Sequence, residues 1–360
     1  MPDESVQTPS RILLIRPSAL GDVCRTVPVL AALKAWRPDA SIDWLVQREF
    51  APAVEAHPDL NEVIPFDRSA MRGWFRAPAP ARRSIAFLRG LARRRYDLVI
   101  DAQGLARSAI FARVTRAPVR LGPSDAREFA PLAYTRRVAT DVTHTVDRML
   151  ALSADLGADI AQPDMRLHTP ASARAFRPDL SGAAVIAPTS RWPGKAWPDG
   201  RFAELIERLT PRRPVVVIGA PGEEPQIPDT AAIASSRDGA HNLVGQTTIA
   251  QTMSLIEHAS LVVANDSAAA HMAVGFDRPL LALFGPTDTA RVGPYRRDAD
   301  VISHRRSGDP LDHKDERAGR ELMERITIEE VVDACHERLS REPSAPNREP
   351  PGAPNLAASR

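Results

Sequence analysis

Ile12-Leu13-Leu14-Ile15 runs directly into Arg16-Pro17-Ser18-Ala19-Leu20-Gly21-Asp22. Four apolar residues without polar alternation read as a strand buried on both faces, the kind that parallel sheets require. Gly21 then serves the turn, and an acid stands where the strand gives way to a helix. The pattern recurs late in the chain. Leu261-Val262-Val263-Ala264 runs into Asn265-Asp266-Ser267-Ala268-Ala269-Ala270-His271. Ligands of α/β proteins collect at the carboxyl ends of strands. Two such junctions, one in each half, predict two domains with the chemistry in the cleft between them.

Working outward, strand-length apolar runs alternate with helix-length segments. Strands are expected at 11–15, 41–46, 63–65, 98–101 and 119–121, with helices at 23–36, 51–56, 108–115 and 145–156. The stretch 163–178 holds three prolines and little apolar pattern, which reads as a linker. The alternation then restarts, with strands at 184–187, 215–219, 261–264 and 280–284 and helices at 201–208, 226–234, 249–258, 267–275 and 328–339. Repeated strand–helix units mean a parallel sheet covered on both faces. The expected architecture is α/β with two Rossmann-like domains facing a central cleft. They span 11–162 and 181–339, joined by a linker at 163–180, with tails at 1–10 and 340–360. A single dinucleotide-binding domain fits less well, because the first strand–helix turn has Gly21 alone where that fingerprint needs three glycines.

Composition narrows the class. The 360 residues are 43% hydrophobic and 26% charged, with a net charge of +2, so bulk charge gives no reason to expect nucleic acid. Cys24 and Cys335 stand far apart without a surrounding Cys/His cluster, which argues against a disulfide framework or a zinc site. No apolar run reaches membrane-spanning length, and the polar start does not read as a signal peptide. No Asp-x-Asp pair stands at a strand end suited to a metal, so no metal or cofactor is expected.

Each candidate residue carries two readings. Asp22 is either a helix-start acid stabilised by the dipole or a general base on a rigid junction. Asp266 and Ser267 are either ordinary helix caps or the rim of an anion site. The alanines Ala268 to Ala270 leave that helix start bare, and His271 shares the face of Ser267. Thr189, Ser190 and Lys195 follow the strand at 184–187, either as a solvent loop or as a diphosphate contact. Lysine occurs only at Lys34, Lys195 and Lys314, whereas arginine fills nearly every other cationic position, which favours a specific role for Lys195. Glu223 and Glu224 follow the strand at 215–219, where an acid can accept from ribose hydroxyls. Thr287 lies in the turn Gly285-Pro286-Thr287-Asp288. The stretch Arg72-Gly73-Trp74-Phe75-Arg76, with the arginines out to Arg95, is either a solvated face or a surface for an anionic membrane or lipid-linked substrate. Within it Ile85, Phe87, Leu88 and Leu91 are placed for an apolar stripe.

Taken together, these residues resemble the family-9 glycosyltransferases, the bacterial lipopolysaccharide heptosyltransferases, over roughly residues 11–339. The marks are Ser18-Ala19-Leu20-Gly21-Asp22, Asp101-Ala102-Gln103-Gly104-Leu105 with Arg107-Ser108, and Ala126-Arg127-Glu128. They continue with Trp192 to Trp197 around Lys195, Asn265-Asp266-Ser267 with His271, Gly285-Pro286-Thr287-Asp288, and Leu322-Met323-Glu324-Arg325-Ile326-Thr327. The second and third marks look most like the heptosyltransferase I branch. The resemblance implies a GT-B fold and an inverting transfer from ADP-heptose to a Kdo-lipid A acceptor at the inner face of the cytoplasmic membrane. It implies Asp22 as base. Thr189, Ser190, Lys195, Glu223 or Glu224, Asp266, Ser267, Ala268, His271 and Thr287 would be on the donor. Ser18, Gly21, Arg72, Arg76, Gln103 and Arg127 would be on the anionic acceptor. One departure stands out: Ala268 occupies a position where the family usually has glycine, a cost if φ there must be positive. The rival readings are another donor or acceptor within the family, a nucleotide-sugar 2-epimerase on a similar fold, and a non-catalytic sugar-nucleotide-binding protein.

Overall fold

The strand Arg11–Ile15, β1, shows how the sequence builds the core. Ile12 and Leu14 enter one apolar cluster, and Leu13 and Ile15 enter another on the opposite face. This is the period-two alternation of a strand covered on both sides. The computed structural model describes residues 9–69, 78–312 and 314–340. The first sheet contains β1, β2 (Ser41–Gln47), β3 (Glu62–Phe66), β4 (Leu98–Asp101), β5 (Val119–Pro123) and β6 (Arg136–Val138). The second contains β7 (Ala184–Ala187), β8 (Val215–Val217), β9 (Ala240–Asn242), β10 (Leu261–Asn265), β11 (Leu280–Leu283) and β12 (Val301–Ile302). The helices are α1 (Leu20–Trp36), α2 (Pro78–Arg93), α3 (Ala106–Val114), α4 (Thr145–Ala154), α5 (Asp199–Leu209), α6 (Pro228–Ser236) and α7 (Ile249–Glu257). After them come α8 (Ala268–Gly275), α9 (Thr289–Val292), α10 (Glu316–Glu324) and α11 (Ile328–Ser340).

The first sheet runs β3-β2-β1-β4-β5-β6, all parallel. The second runs β9-β8-β7-β10-β11-β12, also parallel. Both therefore have the Rossmann order, and each reverses direction of growth between its first and fourth strands. The crevice at that reversal is where such sheets bind ligands. This is the twin-Rossmann, GT-B arrangement expected from the resemblance. The inner faces of the two sheets share one apolar cluster. Leu14, Ile100, Val185 and Val262 belong to it, and α1, α4, α7 and α8 supply Leu30, Met149, Met253 and Met272.

The structure also corrects the sequence reading. The sequence reading assigns no element at α2, β6, β9, α9, β12 or α10. The three strands are edge strands of only two or three residues, too short to show a pattern, and α10 is dominated by charge (Glu-Arg-Ala-Gly-Arg-Glu-Leu-Met-Glu). The helix expected at 51–56 is a 3-10 turn at Arg48–Ala53, interrupted by Pro52. α1 begins at Leu20 rather than at 23, so Asp22 sits inside its first turn. Of the apolar stripe in the arginine-rich stretch, Leu91 is buried and Phe87 and Leu88 are partly so, but Ile85 is exposed. The proline-bearing segment after 162 is packed: Leu167 N donates to Gly275 O at 3.0 Å, and a Cβ on Gly275 would meet Leu167 at 2.6 Å. Ser10 joins the first sheet, donating its N–H to Asp97 at 2.9 Å. The rest of the two expected tails, 1–8 and 341–360, lies outside the described residues.

His57 marks where this packing responds to acid. It is 6% exposed and stands edge-on to His168 of the proline segment, with ring centroids 4.9 Å apart. Its Nδ1 accepts from Asp59 N at 3.2 Å, and its buried Nε2 has no partner among the described residues. Burial first, then His168, pushes its pKa down to about 4. The unfolded value is near 6.5, so the neutral form's contribution is complete above that pH and is lost as pH falls towards 4. Between pH 7 and pH 5 this group alone should cost about 2 kcal/mol. His57→Asn keeps an acceptor for Asp59 N, so its denaturation midpoint should fall less steeply over this interval. An unchanged slope would mean that His57 does not set the acid response.

Candidate active site

The first half of the site is the reversal point between β1 and β4. Gly21 and Asp22 open α1 there, and Asp22 is held on all sides. Arg16 Nη2 approaches Oδ2 at 3.0 Å, Arg25 Nη2 donates to Oδ1, and Ala19 N donates to Oδ2 at 3.2 Å. Burial opposes the charge, but Arg16, Arg25 and the Ala19 N–H outweigh it and hold the carboxyl below the usual range. Asp22 is therefore ionised at every working pH and is a weak base in isolation. The two arginines add to the helix dipole considered from the sequence. Arg16 Nη1 also donates to Ala102 O, tying the carboxyl ends of β1 and β4 together.

Asp101 closes the same loop from below. It is fully buried, accepts from Gln103 N at 2.9 Å, Gly104 N at 3.2 Å and Tyr134 Oη at 2.7 Å, and is pushed up by burial. Gly104 takes a φ of +68°, where a Cβ would also crowd Pro123. The turn presents Gln103, whose Oε1 accepts from Ser18 N at 3.4 Å. Arg127 is exposed nearby, its backbone N–H bound to Gly104 O at 3.0 Å. Arg72 and Arg76 lie outside the described residues.

The second half is the reversal point between β7 and β10. Lys195 Nζ contacts Asp266 Oδ2 at 2.6 Å, and Thr287 Oγ1 donates to the same oxygen at 2.7 Å. One carboxylate thus aims the ammonium and the hydroxyl together. Thr189 Oγ1 donates to Glu223 Oε2 at 2.6 Å, and Ser190 N donates to Gln226 Oε1 at 3.4 Å. Glu224 is turned elsewhere, accepting from Asn242 Nδ2 at 2.9 Å. No side chain caps α8, and the buried Ser267 Oγ has no partner among the described residues. The first N–H groups of α8 are therefore uncapped by any side chain and suited to an anion. Ala268 opens the helix with an ordinary negative φ, so alanine costs nothing there.

Two devices that position these groups were not read from the sequence. α10 lies against the turn that carries Lys195, and a Cβ on Gly319 would stand 2.4 Å from Gly194 O. Only glycine allows that approach. The second device joins the domains. Three consecutive carbonyls at the end of α9, Arg291, Val292 and Gly293, accept from Thr145 Oγ1 (2.9 Å), Arg25 Nη1 (3.3 Å) and His144 Nε2 (3.1 Å) of the first domain. Val146 N donates to His144 Nδ1, which fixes the proton on Nε2. Arg25 thus grips Asp22 with one nitrogen and the second domain with the other. The i, i+3 spacing of Asp22 and Arg25 was the available signal.

The two halves meet end to end. A Cβ on Gly21 would lie 3.5 Å from Ala268 Cα and 2.9 Å from His271 Cδ2, so the N-termini of α1 and α8 abut. His271 fills the joint. Burial first, then Arg25, pushes its pKa down to about 3, so it remains neutral beside Asp22 and Asp266. The described residues contain no group of three or more His, Cys, Asp or Glu able to hold a metal ion. The pair Asp298 and Asp300 precedes β12 at its amino end, and Asp300 is bound to Arg297.

Known proteins share this architecture. The family described as Glycosyltransferase family 9 (heptosyltransferase) matches residues 84–320. Lipopolysaccharide heptosyltransferase 1 of Salmonella typhimurium is 31% identical over 298 residues, 80% of this chain and 92% of that protein. Lipopolysaccharide heptosyltransferase 3 of Escherichia coli is 29% identical over 287 residues, 74% of this chain and 81% of that protein. The solved structure of E. coli heptosyltransferase WaaC with ADP-2-deoxy-2-fluoro heptose matches with a TM-score of 0.72 at 28% identity, covering 91% of this chain and 99% of that one. This chain is a glycosyltransferase and belongs to glycosyltransferase family 9, the heptosyltransferases.

Proposed function

We propose that the protein is an inverting heptosyltransferase of lipopolysaccharide core synthesis. In this reading it moves heptose from ADP-heptose to a Kdo-lipid A acceptor at the inner face of the cytoplasmic membrane. The observation that carries it is the abutment of α1 and α8, which sets a permanently ionised Asp22 against an uncapped helix N-terminus beside Lys195. The relative solved with a fluorinated ADP-heptose supports a nucleotide-sugar donor. Relatives of types 1 and 3 match about equally, so the preference for type 1 rests on Asp101 to Leu105 and Ala126 to Glu128.

The chemistry follows from the charges. An acceptor hydroxyl oxygen attacks the anomeric carbon from the side of Asp22, and its proton passes to the Asp22 carboxylate. The bond from that carbon to the diphosphate breaks, and ADP leaves with the electron pair. Lys195, Thr287, Ser267 and the first N–H groups of α8 meet the growing negative charge, already oriented before the reaction begins. With that charge met by fixed groups, the reading calls for no divalent cation. A weakly basic Asp22 suffices, because the hydroxyl becomes strongly acidic only as the new bond forms. Glu223, held by Thr189, is assigned to the ribose, and Gln103, Ser18 and Arg127 to the acceptor side.

The test is ADP release from ADP-heptose, with and without a Kdo-lipid A acceptor. Wild type should release ADP only with acceptor, and Asp22→Asn should lower that rate by at least about a hundredfold while still binding donor. Equal rates in the two proteins would remove the base, and acceptor-independent release would remove the transfer.

Arg25 gives a second test. Arg25→Ala removes one of the two guanidinium groups that depress Asp22, so an acid limb of kcat/KM that lies below the working range in wild type should rise into it. Turnover should fall on the order of tenfold through loss of orientation, with donor KM little changed. An unshifted pH profile would show that Arg25 only joins the domains.

A further inference from the structure

Phe129 is 86% exposed and Leu132, in the adjoining 3-10 turn Ala130–Ala133, is 75% exposed. Ile110 on α3 and Ile85 on α2 are 53% and 44% exposed. These residues sit on neighbouring elements. Ala130 and Ala133 pack on Ala109 of α3, and Phe111 of α3 meets Phe87 of α2 at 5.7 Å between ring centroids. Glu128 and Phe129 adopt left-handed φ angles of 57° and 61°, which residues with a Cβ avoid. The fold thus holds an aromatic side chain in water on an unfavourable backbone, while its neighbour Ala130 is buried.

The charge on the two helices is of one sign, with Glu128 the acid at the adjoining turn. Neither α2 nor α3 contains an acid, and Arg82, Arg83, Arg89 and Arg93 on α2 and Arg107 and Arg113 on α3 are exposed. None of the four α2 arginines has a carboxylate partner among the described residues. The surface also adjoins the cleft. Arg127 N donates to Gly104 O at 3.0 Å, Ala106 N to Glu128 Oε2 at 3.1 Å and Ser18 N to Gln103 Oε1 at 3.4 Å. Two of these hydrogen bonds tie the Phe129 turn to the segment after β4, and the third ties that segment to Ser18, just before the helix that carries Asp22.

We propose that Phe129, Leu132, Ile110 and the arginine faces of α2 and α3 form a docking surface for an anionic phospholipid bilayer. It would turn the acceptor side of the cleft towards the lipid. This rests on the reading of a lipid-linked acceptor and names the surface that reading lacks. Apolar tips flanked by arginines match the two layers of a leaflet, acyl chains beneath phosphates. A second copy fits worse, because a two-fold contact would press two acid-free arginine faces together. Nucleic acid fits worse too, because three of the four apolar groups are aliphatic and offer no stacking face.

The experiment is co-sedimentation of the full chain with vesicles of phosphatidylcholine alone and of phosphatidylcholine mixed with phosphatidylglycerol. Wild type should bind only the anionic vesicles, and added salt should release it. Phe129→Ser combined with Leu132→Ser should weaken partitioning at least about tenfold. Its turnover on a deacylated, water-soluble acceptor should be unchanged. Arg82→Glu with Arg89→Glu gives an independent variant that leaves the apolar tips in place and should also lose binding. Wild-type failure to bind, equal binding to neutral vesicles, or full binding by both variants would overturn the proposal. So would a dimer, seen by light scattering, that both variants abolish, or wild-type retention on nucleic acid rather than on vesicles. If vesicle binding behaves as described but wild type has no turnover on the soluble acceptor, the surface stands and the assigned reaction fails.

Discussion

Everything at the centre of this molecule depends on how closely α1 and α8 approach. Gly21 is the point of contact, and any side chain there would run into His271. Because that position has no Cβ, two separate strand–helix junctions become one site. The approach is maintained from behind by an apolar cluster that is continuous across both domains. It is maintained at the side by three consecutive carbonyls of the second domain bound to Arg25, His144 and Thr145. A packed core of this kind transmits small displacements rather than absorbing them.

Charge is distributed to suit that contact. Two carboxylates, Asp22 and Asp266, lie on either side of a neutral His271, and each carries its own cation, Arg25 and Arg16 for the first and Lys195 for the second. Lys195 keeps hydrogen-bond donors to spare, since the ammonium has three and Asp266 engages one. The difference between Arg and Lys fits their tasks. A fork can hold Asp22 and Val292 at once, whereas a compact ammonium can serve a diphosphate and its own carboxylate.

The sequence carried the frame well. Runs such as Leu261-Val262-Val263-Ala264 are short, wholly apolar and set between helix-length segments, so the twin parallel sheets were legible, and so were the junctions at Asp22 and Asp266. What it hid depends on partners distant in the chain. Gly194 and Gly319 look like ordinary turn and helix residues until their backbones are seen in contact. Arg25 looks like a helix-surface cation, yet it is 7% exposed because Val292, far along the sequence, comes to meet it. The edge strands β6, β9 and β12 run for only two or three residues, too few to show an alternation in the sequence. Glu223 and Glu224 look alike in the local sequence, and only the fold shows that Thr189 holds the first and Asn242 the second.

The central claim is that one domain presents Asp22 to a donor held by the other. A crystal structure of the protein with a non-transferable ADP-heptose analogue would test it most directly. The account requires the diphosphate on the first turn of α8 within hydrogen-bond distance of Lys195, with the Asp22 carboxylate facing the anomeric carbon across a gap the size of an acceptor hydroxyl. A diphosphate bound away from α8, or an anomeric carbon turned from Asp22, would contradict it.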